Sequence, residues 1–97
     1  MQLVAGTLWE ITGTFKDPNN NLVNPPNGFS VKYVSPAGTA TTIVFGVASN
    51  IVQVSNPGVF QVQIDTTGWT AGQAKMEWIA PGLVVTPPQT CTFTAPF

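Results

Sequence analysis

The sequence predicts an all-β protein, an antiparallel β-sandwich of immunoglobulin-like architecture with about seven strands. Apolar and polar residues alternate with period two in almost every segment, and turn residues separate those segments. No stretch keeps apolar residues at helical spacing. A chain of 97 residues has room for one core, so we expect a single domain over residues 1–97. A small β-barrel is the alternative architecture.

The first predicted strand covers residues 7–16. Its inward row holds Trp9, Ile11 and Phe15. Gly13 falls on the same row, where a bulge or a closely packed neighbouring strand would explain a glycine. Residues 17–21 read Asp-Pro-Asn-Asn-Asn, which predicts a turn because proline presets φ and asparagine tolerates the left-handed region. The proline-rich residues 24–28 exclude a central strand there.

Three shorter strands are predicted in the middle of the chain. They cover residues 29–34, 39–47 and 51–54, and a turn at residues 35–38 separates the first two. One side of the second of these strands is expected to hold Thr41, Ile43, Phe45 and Val47.

The clearest alternation lies in residues 59–65. The turn-rich residues 66–72 lead to a strand over residues 73–80, which we expect to pair with it. Residues 81–88 predict a loop or an irregular edge segment, because prolines stand near both of its ends. A last strand over residues 90–95 closes the chain.

The charge content is very low for a folded domain. Only 7% of residues are charged, against about 25% in an ordinary soluble domain. Thirteen Thr, seven Asn, six Gln and four Ser provide the polar surface instead. A disordered chain needs high net charge, which is absent here. Three lysines at a net charge of −1 cannot form a basic patch, so we expect no nucleic-acid partner.

The inventory of reactive side chains is poor, so we expect neither an enzyme nor a cofactor. Histidine, the commonest general base and metal ligand, is absent. The single Cys91 can form no intramolecular disulfide or zinc site, and its strand-like neighbours predict a buried thiol. Asp65 and Glu77 would approach one another only if their strands pair, and surface charges are the simpler interpretation. Asp17 lies in the turn of residues 17–21, which accounts for it without calcium.

The three tryptophans divide into two groups. Trp9 and Trp78 lie on inward rows and predict core packing. Trp69 lies in the turn-rich segment between two strands, where it either caps the open end of the sandwich or provides a platform for a sugar ring. Both interpretations stay open, so Trp69 is the candidate glycan contact, with a host-surface glycan as the possible ligand.

A short apolar group is the candidate interface with a protein partner. It consists of Ile79, Leu83, Val84 and Val85. Prolines frame the last three, and a stiffened loop binds at a lower entropic cost. Burial against the protein's own core is the equal alternative.

The beginning of the chain resembles no targeting segment. It lacks the basic region and the apolar run of a secretory signal, and no segment is apolar enough for a membrane helix. We therefore expect synthesis in a cytoplasm and no membrane partner.

Two groups of residues resemble a known family. One runs from Lys16-Asp17-Pro18 to the turn at residues 35–39; the other runs from Asn56-Pro57-Gly58 to the Glu77-Trp78-Ile79-Ala80 segment. Together they resemble the small immunoglobulin-like proteins encoded among the structural genes of tailed bacteriophages. The neutral residues 81–88 depart from that pattern, since family members usually have a charged stretch before the final strand.

The resemblance implies a virion structural protein, either a capsid decoration or cement protein or a neck or tail component. It implies capsid or tail proteins as partners and many copies, or a homo-oligomer, on a symmetric assembly. After synthesis in the host cytoplasm, the protein would be located in the virion. The family has no catalytic residues to transfer. A carbohydrate-binding or adhesion module is the alternative function.

Overall fold

A computed structural model describes residues 2–25, 28–47 and 50–95. In these residues the chain forms nine strands and no helix. The strands are β1 (Gln2–Val4), β2 (Leu8–Lys16), β3 (Ser30–Val34), β4 (Ala40–Val44), β5 (Ile51–Ser55), β6 (Val59–Asp65), β7 (Gly72–Ile79), β8 (Val84–Val85) and β9 (Gln89–Thr94). No helix in this part of the chain is long and apolar enough to cross a membrane.

The strands form two packed sheets, which confirms the predicted β-sandwich. One sheet has five strands in the order β1-β9-β7-β3-β4, and the other has four in the order β5-β6-β2-β8. All pairs are antiparallel except β1 with β9, which is parallel. Two separate sheets with open edges are not the small barrel of the alternative prediction.

The core lies between the sheets and contains most of the residues on the predicted inward rows, although Val47 and Ala95 are exposed. Phe15 is central to it, with ring centroids 4.5 Å from Phe29, 5.5 Å from Phe60 and 5.8 Å from Trp78. Trp9 is 1% exposed and Trp78 4%, so both are core residues as predicted. The aromatic rings therefore join β2 and β6 of one sheet to β7 of the other.

The glycine of β2 is required because an indole ring occupies the place of its side chain. A Cβ atom at Gly13 would lie 2.4 Å from Cε2 of Trp78, on the facing sheet. The register between β2 and β6 runs without interruption past Gly13, so no bulge explains it. The close neighbour is a side chain from across the sandwich and not an adjacent strand.

The predicted pairing of β6 with β7 is wrong. β6 pairs with β2 and β5, whereas β7 pairs with β3 and β9 in the other sheet. Residues 66–71 therefore cross from one sheet to the other instead of forming a hairpin. Thr66 anchors this crossing, because its buried hydroxyl accepts the N–H of Gly6 at 2.9 Å and donates to the carbonyl of Thr7.

Strand β1 is absent from the sequence-based predictions. It pairs with β9 over three residues, and the N–H of Ala5 then donates to the carbonyl of Thr94 at 2.8 Å. Three residues are too few to show a period, and parallel pairing with the far end of the chain leaves no local signal.

The strand predicted over residues 39–47 is shorter in the structure. Strand β4 ends at Val44, and Val47 lies in the following turn, where it is 86% exposed. The prediction that Val47 shares one side of the strand with Thr41, Ile43 and Phe45 is therefore wrong, because the chain turns after β4 and the N–H of Val47 donates to the carbonyl of Val44 at 3.1 Å. Pro26 and Asn27, in the predicted proline-rich segment, lie outside the described residues.

Candidate functional site

The four residues of the predicted interface lie in different surroundings. Ile79 ends β7 in the five-stranded sheet and is half-buried. Val84 and Val85 form β8, the edge of the four-stranded sheet, where they pair with Lys16 and Phe15 of β2. The four side chains are therefore close in sequence but do not share one sheet.

Most of this apolar group packs against the protein itself. Leu83 and Val85 are half-buried against the core, and only Val84 is largely exposed, at 56%. Burial against the core, one of the two interpretations of residues 83–85, describes Leu83 and Val85 but not Val84.

Hydrogen bonds hold the same segment to β2. The hydroxyl of Thr86 accepts the N–H of Thr14 at 2.8 Å, and the N–H of Thr86 donates to the carbonyl of Thr14 at 3.2 Å. The pairing of β8 with β2 thus continues one residue beyond β8. This segment is an integral edge of the sandwich.

Trp69 closes one end of the core. Its ring centroid lies 5.1 Å from Phe93 and 6.4 Å from Trp9, with both rings edge-on, and 6.2 Å from Tyr33. The tryptophan is half-buried, so it caps the core and still leaves part of its surface exposed. The two interpretations of Trp69 are therefore compatible.

The turn before Trp69 is fixed by a carboxylate. The side chain of Asp65 accepts the hydroxyl of Thr67 at 2.6 Å and its N–H at 3.0 Å. These two hydrogen bonds, the one from the hydroxyl first, lower the pKa of the Asp65 carboxyl below its ordinary value of 3.8. The N–H of Trp69 donates to the carbonyl of Thr66 at 3.0 Å, which completes the turn.

A shallow hollow of about 250 Å³ lies beside Trp69. Tyr33 and Trp69 provide its aromatic part, and hydroxyl-bearing residues provide its polar part: Ser35, Thr39, Thr41 and Thr70. Aromatic faces with neutral hydrogen-bonding groups suit an uncharged ligand such as a sugar ring. Its volume is slightly below the range of about 300–1,000 Å³ that is typical of small-molecule sites.

The structure brings together no catalytic or metal-binding group in its described part. Asp65 and Glu77, whose approach depended on strand pairing, lie on strands of different sheets. No cluster of three metal-binding side chains occurs among the described residues. The Asp17 carboxylate accepts the N–H groups of Asn19 and Asn21, both at 2.9 Å, as the predicted turn requires.

The single thiol is buried. Cys91 is 1% exposed, as predicted, and its burial raises the pKa of the thiol. A thiol of this kind is unreactive, because the thiolate is the nucleophile. The indole N–H of Trp78 has no acceptor among the described residues, but it faces Gly13 inside the core and marks no binding site.

A group of four valines, half of the large apolar residues that are exposed in the described part of the chain, is not among the predicted interface residues. Val44, Val47, Val52 and Val54 are 42–86% exposed and lie on or between β4 and β5. Both strands are edges, one in each sheet. The available signal was the absence of any charged residue from residue 33 to residue 64, which includes both strands.

Comparison with models of protein families, with curated proteins and with solved structures found no match to this chain.

Proposed function

We propose that this chain is a structural protein that acts by binding other proteins and that it belongs to the virion of a tailed phage. The observation that carries the proposal is the nearly uncharged exterior, on which Val44, Val47, Val52, Val54 and Val84 are exposed. A surface with so little charge offers little electrostatic resistance to association. In the virion it serves as a capsid decoration or cement protein, or as a neck or tail component, and it performs no catalysis.

The strand order supports the immunoglobulin-like part of the proposal. The order β5-β6-β2 faces the order β9-β7-β3-β4. Immunoglobulin-like sandwiches arrange their strands D-E-B against G-F-C-C′ in the same way. The sequence resemblance adds the link to phage structural proteins.

The test is co-sedimentation of the purified protein with capsids and with tails of the phage that encodes it. Apolar and neutral contacts are screened little by salt, so the bound fraction should be the same at 0.1 M and 1 M salt. No binding to either particle, or binding that collapses at 1 M salt, would contradict the proposed mechanism.

A single substitution tests the predicted interface. Val84→Asp should abolish co-sedimentation and leave the fold intact, because Val84 is exposed and its cross-strand neighbour is Lys16. Thr12→Asp is the matched control, on an exposed position of the neighbouring strand. Equal binding of both variants would remove Val84 from the interface.

The hollow beside Trp69 favours a second function, the binding of a host-surface glycan. Trp69→Ala would open the core, because Trp69 contacts Trp9 and Phe93. Ala37→Arg fills the hollow from its exposed rim and leaves the core unchanged, whereas Ala71→Arg is exposed and outside the lining of the hollow. Glycan-array binding that is lost in Ala37→Arg and kept in Ala71→Arg supports this function. An array on which the wild-type protein binds no glycan contradicts it.

A further inference from the structure

The four sheet edges differ in how well they are protected against pairing with another strand. An exposed edge presents main-chain donors and acceptors, and proteins shield such edges with short strands, bulges, prolines or charges. β1 has three residues and β8 has two. β5 has five, but its register with β6 shifts between Gln53 and Ser55, and the Gln53 side chain donates to the Ser55 carbonyl at 3.3 Å. These three edges are short or irregular.

β4 has none of these protections. Its five residues pair with β3 in one unbroken register, from Ala40↔Val34 to Val44↔Ser30. It contains no proline and no charged residue. The nearest charges along the chain are Lys32 on β3 and Asp65 at the end of β6.

The hydrogen-bond pattern shows which main-chain groups of β4 face outward. At one end of the β3–β4 ladder the N–H of Phe45 donates to Phe29, and at the other the N–H of Ser35 donates to Thr39, both at 3.0 Å. Hydrogen-bonded and non-hydrogen-bonded pairs alternate in an antiparallel ladder. The odd-numbered residues of β4 therefore bond to β3, and the main-chain groups of Ala40, Thr42 and Val44 point away from the sheet.

Few partners exist for these outward groups within the described residues. The carbonyl of Val44 accepts the N–H of Val47 at 3.1 Å, and no other hydrogen bond to the main chain of Ala40, Thr42 or Val44 is present there. A second β-strand is the chemical complement of such a row.

We propose that β4 pairs with β4 of a second copy of this chain, antiparallel and about a two-fold axis at Thr42, which joins two five-stranded sheets into one of ten. This register places Thr42 opposite Thr42 and Ala40 opposite Val44. It uses all three outward-facing residues of both copies, and the Val44 carbonyl, which already accepts the N–H of Val47, would accept a second hydrogen bond through its other lone pair. Registers centred on Ala40 or Val44 leave part of the row unpaired.

The absence of charge favours a second copy as the occupant. In a two-fold pair each residue near the axis meets its own kind, so any charge on β4 would face a like charge. The two copies of Lys32 are separated by three strand spacings, about 14 Å. That distance exceeds the Debye length of about 8 Å at physiological salt.

The pairing also covers apolar surface. Thr41 and Ile43 are half-buried on the inner side of β4, and Val44 is 45% exposed on the outer side. Each would gain a neighbour from the second copy. The interface of one strand pair is small, so we expect weak association with Kd roughly between micromolar and millimolar.

The pairing depends only on the main-chain groups of β4, and it goes beyond the proposed function. A protein that is monomeric in solution would overturn the pairing and leave binding to capsids or tails untouched. A dimer that binds no particle would do the reverse.

Sedimentation equilibrium over a concentration series tests the pairing. The wild-type protein should shift from 10.3 kDa towards twice that mass as its concentration rises. Thr42→Glu should raise the dissociation constant at least about tenfold, because two carboxylates meet across the axis. Within one copy the new carboxylate faces Lys32, so the monomer fold is preserved. Thr92→Glu, on the same sheet face but in an inner strand, should leave association unchanged.

Two further variants test the register. Thr42→Pro removes an N–H donor that β3 does not use, and proline is tolerated at such edge positions, so it should fold and show no dimer. A mixture of Thr42→Glu with Thr42→Lys should recover association, since unlike charges then meet at the axis. Recovery in the mixture identifies Thr42 as the residue that faces its own copy.

Amide hydrogen exchange provides a direct readout. The amides of Ala40, Thr42 and Val44 should become protected as concentration rises, while those of β5 stay unchanged. A wild-type protein that remains monomeric at about 1 mM, or a dimer that is unaffected by Thr42→Glu and Thr42→Pro, would overturn the proposal.

Discussion

Two of the four sheet edges, β8 and β4, each contain one exposed valine, and they differ in how the main chain beside that valine is bonded. On β8, Val84 is exposed between Leu83 and Val85, which pack on the core, and Thr86 bonds to β2 in both directions. On β4, Val44 is exposed at the end of a regular strand whose outer main-chain groups face away from the sheet. The first edge is completed by the protein's own chain, and the second is uncovered within the described residues, apart from the hydrogen bond from Val47 to Val44.

The difference shows that an apolar run in the sequence does not by itself mark an exposed apolar surface. Residues 83–85 are the conspicuous apolar run, but most of that run completes the core. β4 reads Ala-Thr-Thr-Ile-Val, a short neutral segment that does not stand out in the sequence. Its capacity for binding comes from main-chain groups, which depend on where the strand falls in the sheet. Substitutions at or beside each edge, compared by their effect on the free energy of unfolding, test this difference.

The largest expected effect is at Gly13, on the strand that supports β8. Gly13→Ala should lower the free energy of unfolding by about 3 kcal/mol, because its Cβ would overlap the Trp78 indole, which Phe15 and Phe29 hold in place. Gly46→Ala is the control beside β4. It has a positive φ but nothing within 4 Å of the new atom, so it should cost about 1 kcal/mol of backbone strain. Urea denaturation measures both, and equal costs would contradict the packing of Gly13.

The next contrast lies within β8 itself. Val85→Asp places a carboxylate against the core and should cost about 2 kcal/mol of unfolding free energy. Val84→Asp should change the unfolding free energy by less than about 0.5 kcal/mol, because the side chain is exposed opposite Lys16. Thermal denaturation of the two variants decides this point. If both variants unfold alike, β8 is not anchored by Val85.

Hydrogen bonding gives a third, smaller contrast. Thr86→Val removes the acceptor for the N–H of Thr14 and should cost about 1–2 kcal/mol of unfolding free energy, because that donor is partly buried. Thr42→Val on β4 removes a hydroxyl for which no hydrogen bond is present within the described residues, and it should be neutral. The same substitution thus separates an edge held by side chains from an open one. A neutral Thr86→Val would contradict the anchoring role of Thr86.

Many of the strands and their inward positions could be predicted because the signal for them, the alternation of apolar and polar residues, is local in sequence. The alternation of β6 and the inward positions of Trp9 and Trp78 follow from period two alone. The partner of β6 could not be predicted from its neighbour in the chain, since residues 66–71 cross between sheets and are anchored by Thr66, whose contacts with Gly6 and Thr7 are distant in sequence.

The surface was harder to predict than the core, because exposure also depends on contacts between residues that are distant in sequence. The exposure of Val84 and the half-burial of Val85 depend on β2, about seventy residues earlier in the chain. Trp69 lies in a turn by sequence, yet Trp9 and Phe93 come from opposite parts of the chain to pack against it. Contacts of this kind decide which apolar residues remain available to a partner.

The smallest expected effect is a pH dependence that separates folding from pairing. Asp65 has a folded-state pKa below its ordinary value of 3.8, because Thr67 hydrogen-bonds to the charged form. Its contribution to stability is complete above pH 3.8 and is lost as the pH falls through the lower folded-state pKa. The melting temperature of the wild-type protein should therefore exceed that of Asp65→Asn at pH 6, and the two should converge near pH 2. β4 contains no titratable group, so protection of the Thr42 amide at a fixed concentration should stay constant from pH 7 to pH 5 once the intrinsic exchange rate is divided out. A change in that protection over this range would mean that a charged group outside β4 takes part in the pairing.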